Sequence, residues 1–403
     1  MKRITRFDNQ GRGIAFDDKK TLFIANALPG EEVEYRIIHE NSKISEAIST
    51  KIASPNPHRV QPKCPYYNIC GGCNIMHMSA ELQQEFKKEK VANILKKFAD
   101  IDWNIRLITS DRQLFYRNKI TLRVRNGKWG YFESLSHQFC GISTCLIATN
   151  DINNVLKYKE FISLNNGEVV IRSNSNHEVL MSVTTEDDIK IDYNSIPENI
   201  IGIVGNSKTL YGKNYFIETI DRYRFKVSYD AFFQVNNYGL KMIFEILANN
   251  VRGINLLDLY CGVGVLGISL KDNFQNIVGI EITENAVIDA IENAKMNDVK
   301  AKYYAGDTGE ILKSLEMNFD TILVDPPRSG LNRLTIDTII NLNPDNIAYV
   351  SCDPMTLARD LKILKEYYEP IKIYAVDLFP NTYHVETVVI LKRKIEEESD
   401  DKI

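Results

Sequence analysis

The feature that most constrains this 403-residue chain is a set of glycines placed at the end of an apolar run. Ile254 to Tyr260 reads INLLDLY and leads into Gly262-x-Gly264-x-x-Gly267. Glycines there let a strand turn tightly into a helix and let a nucleoside approach the backbone closely. From about residue 221 onward the texture repeats. NIVGIE, FDTILVDPP and NIAYVSC are short apolar runs ending near an acid or a cysteine, with helical segments between them. This alternation predicts a Rossmann-like, doubly wound α/β domain whose ligands sit outside the carboxyl ends of the strands. There is no internal repeat.

The remainder has a different texture. Residues 1–53 carry short alternating segments (GRGIAF, TLFIANAL, EEVEYRII, EAISTKI) separated by turn signals such as Pro29-Gly30. Strands that short and regular suggest an oligonucleotide-binding type of β-barrel, although a plain β appendage fits nearly as well. A linker with four prolines (SPNPHRVQPKCP) follows. Ser79 then suits a helix N-cap before AELQQEFKKEKVANILKKF, where Leu82, Phe86, Val91, Ile94 and Leu95 trace an apolar face. Residues 105–220 read mainly as strands and loops. The expected segments are 1–53, a central 54–220 and an α/β domain over 221–403.

Net charge is −4, which argues against indiscriminate coating of nucleic acid but leaves room for a local basic face. No apolar run reaches the length of a membrane span, and MKRITRFDNQ lacks a signal-peptide core, so a cytoplasmic location with no membrane partner is expected. The tail Lys392–Lys402 (KRKIEEESDDK) reads as a solvated end.

Glu281 closes NIVGIE nineteen residues after Gly262, where a carboxylate can accept both ribose hydroxyls. These features fit NAD as well as S-adenosylmethionine. Asp325-Pro326-Pro327-Arg328 and a cysteine after the fifth strand are not expected of a dehydrogenase. Upstream, Phe232-Phe233-Gln234-Val235-Asn236 could frame an adenine or a methionine moiety, although such phenylalanines are more often core.

Tyr349-Val350-Ser351-Cys352-Asp353-Pro354 presents a thiol at a strand end, and Glu386 follows thirty-four residues later in FPNTYHVE. C5 of uracil is a poor nucleophile. Thiolate attack on C6 turns the ring into an enolate whose C5 can take a methyl group, and a base must then remove the C5 proton so that the thiolate can leave. Cys352 fits the first role and Glu386 the second. Asp325 is placed to hold the pyrimidine's polar edge or the cofactor's amino group. Cys261, inside the glycine turn, reads as packing, and the role of His384 stays open. An amino-group methyltransferase usually carries an aromatic after Pro-Pro, whereas Arg328 stands here and suits a phosphate or carboxylate.

Seven cysteines in a chain expected to stay inside the cell point to metal binding or catalysis rather than disulfides. Cys64, Cys70 and Cys73 lie within ten residues. A cubane iron–sulfur cluster needs a fourth thiolate, which Cys145 or Cys140 could supply, and zinc could use the same ligands. Around Arg112–Lys128, the basic residues Arg112, Arg117, Lys119, Arg123, Arg125 and Lys128 mix with Phe115, Tyr116, Trp129, Tyr131 and Phe132. That mixture suits unstacked RNA, or equally a solvated amphipathic strand pair.

FFQVN, DLYCGVG, DPPRSG, SCDP and HVE in this order resemble the RNA uracil-5-methyltransferase family along nearly the whole chain. The resemblance implies a class I methyltransferase fold with an N-terminal TRAM barrel and a central, mainly β, [4Fe-4S]-binding domain. It implies Cys64, Cys70, Cys73 and Cys145 as cluster ligands, because the family's fourth cysteine opens a short apolar segment, as in Thr144-Cys145-Leu146-Ile147. It also implies S-adenosylmethionine contacts from Gln234, Tyr260, Glu281 and Asp325, with Cys352 as nucleophile and Glu386 as proton acceptor. Val265 and Asp353 depart from the common pattern. Members with the cluster act mostly on large-subunit (23S) ribosomal RNA and those without it mostly on transfer RNA, so ribosomal RNA is the expected substrate, handled by a monomer; archaeal-type members that carry a cluster and act on transfer RNA make a transfer-RNA uridine-C5 methyltransferase the alternative. The competing class is a non-catalytic RNA-binding or redox-sensing iron–sulfur protein.

Overall fold

A computed structural model describes residues 1–17, 20–133, 138–313, 315 and 317–395; the tail reading beyond 395 lies outside the described residues. Eight strands form the sheet that carries the chemistry. In chain order they are β1 (Arg106–Ile108), β2 (Asn255–Leu259), β3 (Asn276–Glu281), β4 (Ala301–Ala305), β5 (Thr321–Val324), β6 (Asn346–Ser351), β7 (Tyr368–Val376) and β8 (Glu386–Arg393). Their spatial order is β4-β3-β2-β5-β6-β8-β7-β1. The strands from β4 through β6 are parallel, and β8 runs antiparallel between β6 and β7. The order reverses beside β2, where a doubly wound sheet opens its ligand crevice.

Both faces of this sheet are buried, as the near-continuous apolar strands require. Leu256, Leu323, Ala348, Val350 and Val388 face one core, shared with Leu240, Ile243 and Leu247 of helix Asn237–Asn250. The alternate residues Leu257, Ile322, Val324, Tyr349 and Val389 face the other, shared with Val91, Ile94 and Leu95. Those three belong to helix α1 (Ala80–Ala99), which starts as expected at Ser79, whose hydroxyl accepts from the Leu82 amide.

The N-terminal strands from Lys2 to Ile52 make a six-stranded sheet, and those from Phe139, Lys119 and onward to Gly212 make a seven-stranded one. Two details depart from the three expected segments. β1 joins the third sheet from residues assigned to the central one. The division at 220 falls in the turn of the hairpin Tyr215–Ile220/Tyr223–Ser228, whose second strand is tied to helix Glu284–Met296 and its cap by Asn293 and Asn297. Among the described residues no helix is long and apolar enough to cross a membrane.

Candidate active site

The cofactor side is built by backbone turns. Tyr260 (φ 62°), Gly262 (φ 53°) and Gly264 (φ 83°) all lie in the left-handed region, and a side chain at Gly267 would strike the Asp258 carboxylate at 2.6 Å. That contact is used: the Gly267 amide donates to Asp258 Oδ2 at 3.0 Å, while Oδ1 is buried without a partner. Burial raises the Asp258 carboxyl to about 8. One crevice is lined by Phe232, Gln234, Asp258, Tyr260, Gly262 and Asp325, so three of the four expected cofactor residues meet there. Glu281 stands beside it, its carboxylate accepting from the amides of Gly262 (3.1 Å) and Thr283 (2.9 Å). Phe233 is core, whereas Phe232 is 64% exposed at the lip.

The strand register sets the catalytic side. Ser351 pairs with Thr387 and Val324 with Tyr349. Cys352 therefore leaves β6 beside Glu386, the first residue of β8, and Asp325 leaves β5 on the neighbouring strand. Asp353 caps the next helix, Pro354–Leu364, by accepting from the amides of Met355 and Thr356, which fixes the turn that presents the thiol. Cys352 is partly exposed. Burial pushes its thiol from 9.0 up to about 11, the nearby Glu386 and Asp325 carboxyls push the same way, and Arg328 opposes them. Burial also raises Asp325 to about 7. Glu386, only 1% exposed, is raised well above an ordinary carboxyl by burial and by Asp325, again against Arg328. These shifts place one cation, one thiol and two carboxyls within mutual electrostatic reach. Buried carboxyls raised in this way beside a thiol are candidates for proton transfer.

Cys64, Cys70, Cys73 and Cys145 line one cavity of about 320 Å³ together with Arg117, Arg328, Phe379, Thr382 and His384. The Gly72 amide donates to Cys70 Sγ at 3.4 Å, and Asn153 grips the backbone of Cys145 on both sides. Cys140 lies in strand Phe139–Gly141, is buried in the central core, and does not line the cavity. Burial pushes Cys70 up to about 12 and also raises Cys73 and Cys145. Among the described residues no three His, Cys, Asp or Glu side chains converge as for a single metal ion. His384, left open by sequence, lines this cavity and stays neutral, pulled down to about 4 by burial and then by Arg328.

The basic strip is only partly exposed. Tyr116 and Trp129 are core residues, 2% and 3% exposed: Trp129 packs against Ile120, Leu122 and Val124 of strand Lys119–Arg125, and Tyr116 against Met76 and Ile147. Arg123 pairs with Glu168. Arg112, over the ring of Tyr238 at 5.2 Å, and Phe115, whose amide donates to the Leu146 carbonyl, remain on the surface. Sequence reasoning missed Gln83 and Lys87 of α1, both buried. Their spacing with Val91 and Ile94 along one helical stripe was the available signal.

Residues 308–394 match the family described as tRNA (Uracil-5-)-methyltransferase, and 234–342 a methyltransferase small domain. The chain is similar to an uncharacterized RNA methyltransferase of Clostridium acetobutylicum, 32% identical over 97% of this chain and 96% of that one. It is likewise similar to one of Clostridium tetani, 30% identical over 96% and 95%. The solved tRNA (uracil-54, C5)-methyltransferase of Pyrococcus abyssi, in complex with S-adenosyl-L-homocysteine, superposes with a TM-score of 0.80, 25% identity and coverage of 97% and 100%. The chain belongs to the RNA uracil-5-methyltransferase family and is an S-adenosylmethionine-dependent enzyme.

Proposed function

We propose that this enzyme methylates C5 of a uridine in large-subunit ribosomal RNA by covalent catalysis through Cys352. The observation that carries the mechanism is the register: Asp325, Cys352 and Glu386 stand at the ends of three adjacent strands, next to the crevice holding Gln234 and Tyr260. S-adenosylmethionine supplies the methyl group when bound. Gln234, Tyr260, Glu281 and Asp325 are assigned to hold it, and the orphaned Asp258 Oδ1 fits a donor-rich ligand. Cys352 attacks C6 of the uracil. Asp325, kept partly protonated by burial, can donate to or accept from the ring's polar edge. Once C5 has been methylated, Glu386 takes its proton, the C6–S bond electrons return to sulfur, and the C5=C6 double bond re-forms. The target base must leave its stack to reach Cys352, which favours loop RNA.

Cys64, Cys70, Cys73 and Cys145 are assigned as ligands of a [4Fe-4S] cluster, supported by four thiols around one cavity rather than around one point. Such a group would cross-link the cysteine loop to the Thr144–Ile147 segment. The cluster favours ribosomal RNA; the likeness to the Pyrococcus abyssi transfer-RNA enzyme favours transfer RNA as the second reading. An N-terminal RNA-binding barrel, a central domain, a monomeric state and cytoplasmic location complete the proposal. Mass-spectrometric mapping of 5-methyluridine in both RNA classes, with and without the protein, decides between the two. Loss of the mark from ribosomal RNA alone is expected, and loss from transfer RNA alone overturns the assignment.

A further inference from the structure

The connection between β7 and β8, residues 377–385, delivers His384 and then Glu386. A surface loop of nine residues would ordinarily be among the more mobile parts of a fold. This one is held from every side. Lys87 of α1, fully buried, donates to Asp377 Oδ1 at 2.5 Å and to the Phe379 carbonyl at 2.9 Å. Lys90 donates to the Tyr383 carbonyl at 3.0 Å. The Tyr116 hydroxyl donates to the Pro380 carbonyl at 2.9 Å. From the cofactor side, Asn236 donates to the Leu378 carbonyl at 2.8 Å.

Asn381 is the centre of this brace. It sits at φ 67°, a conformation that asparagine tolerates better than most residues. Its amide donates to Gln83 Oε1 at 2.9 Å, and its side-chain nitrogen donates to the Gln113 carbonyl at 2.7 Å. Its carbonyl accepts from the amides of Asn74 (3.1 Å) and Ile75 (3.2 Å), which directly follow Cys73. One residue thus joins α1, the basic strip and the cysteine loop to the turn that ends at Glu386.

We propose that Asn381, supported by Gln83, Tyr116 and the Lys87–Asp377 pair, is a positioning residue for proton removal from C5, holding Glu386 against the covalent adduct. This rests on the reading of Glu386 as the base. A base must lie within hydrogen-bond reach of its proton, and a displacement of about 1 Å can cost about 100-fold in rate. No residue of 377–385 lines the cofactor crevice, and the Asn381 side chain bonds to Gln83 and Gln113 rather than to Cys352, so the first half of the reaction should not depend on those bonds.

Asn381→Gly keeps the left-handed backbone and the carbonyl bonds while removing the side-chain bonds. In single-turnover reactions with full-length enzyme, unmodified RNA and S-adenosylmethionine, the covalent RNA–protein adduct should form at the wild-type rate. Its release should slow roughly tenfold, with the concentration of each substrate that gives half-maximal adduct formation unchanged. Tyr116→Phe, which removes only the bond to Pro380, should shift release in the same direction by less and serves if the glycine variant does not fold. Wild-type release in both variants, while Glu386→Gln traps the adduct, overturns the brace and spares the base. Wild-type release in Glu386→Gln removes the base and the brace with it.

Discussion

Before RNA arrives, Cys352 should be a slow thiol. Burial, then the Glu386 and Asp325 carboxyls, raise it from 9.0 to about 11. At neutral pH those two units cut the thiolate fraction roughly 100-fold relative to an unshifted thiol. A more basic thiolate is more nucleophilic, with a Brønsted slope of about 0.4–0.5, which returns roughly six- to tenfold. Alkylation of Cys352 by iodoacetamide, read on its own peptide by mass spectrometry, should therefore run about 10-fold slower than that of an unshifted exposed thiol. Because the pKa is raised, the rate should climb with pH through the neutral range and level off only near 11. Arg328 is the cation that works against the shift, so Arg328→Gln should slow alkylation further. A plateau below pH 9, or faster alkylation in Arg328→Gln, would refute the electrostatic account. The consequence for function is a thiol slow towards adventitious electrophiles in the enzyme without RNA.

Three further outcomes are expected. Lys87→Met leaves Asp377 buried without its cation and should cost about 3–5 kcal/mol in chemical denaturation, while adding Asp377→Leu recovers most of that loss; a double variant no more stable than the single one contradicts the ion-pair reading. Glu281→Ala removes a carboxylate already oriented by the Gly262 and Thr283 amides; S-adenosylmethionine binding by calorimetry should weaken by about 1.5–3 kcal/mol, and unchanged affinity removes Glu281 from the site. Serine at Cys64, Cys70, Cys73 or Cys145 should abolish bound iron and sulfide in anaerobically purified protein, whereas Cys140→Ser should retain them. Zinc in place of iron would redirect the assignment.

Much of the chemistry was legible because it sits at strand ends. The apolar runs before Gly262, Glu281, Asp325 and Cys352 define parallel strands, and the doubly wound rule then gathers their last residues at one edge. The partnership of Cys352 with Glu386 depends on β8 running antiparallel beside β6, a pairing that no local pattern specifies. Aromatic identity was a poor guide: Phe115 and Tyr116 are adjacent, yet one reaches solvent and the other fills a core. The brace was legible only in part, since the stripe of Gln83, Lys87, Val91 and Ile94 marks a buried helix face but not what it meets. Lys87 reads as a solvated helix cation until its partner, Asp377, arrives from 290 residues away.

The most direct test is to react the enzyme with S-adenosylmethionine and RNA carrying 5-fluorouridine at the target position. Fluorine at C5 leaves no proton for the base to remove, so the methylated adduct cannot resolve. Mass spectrometry of the trapped complex should find the methylated nucleotide attached to the peptide containing Cys352. Attachment at another residue, or no attachment where ordinary RNA is fully methylated, would contradict covalent catalysis by this cysteine.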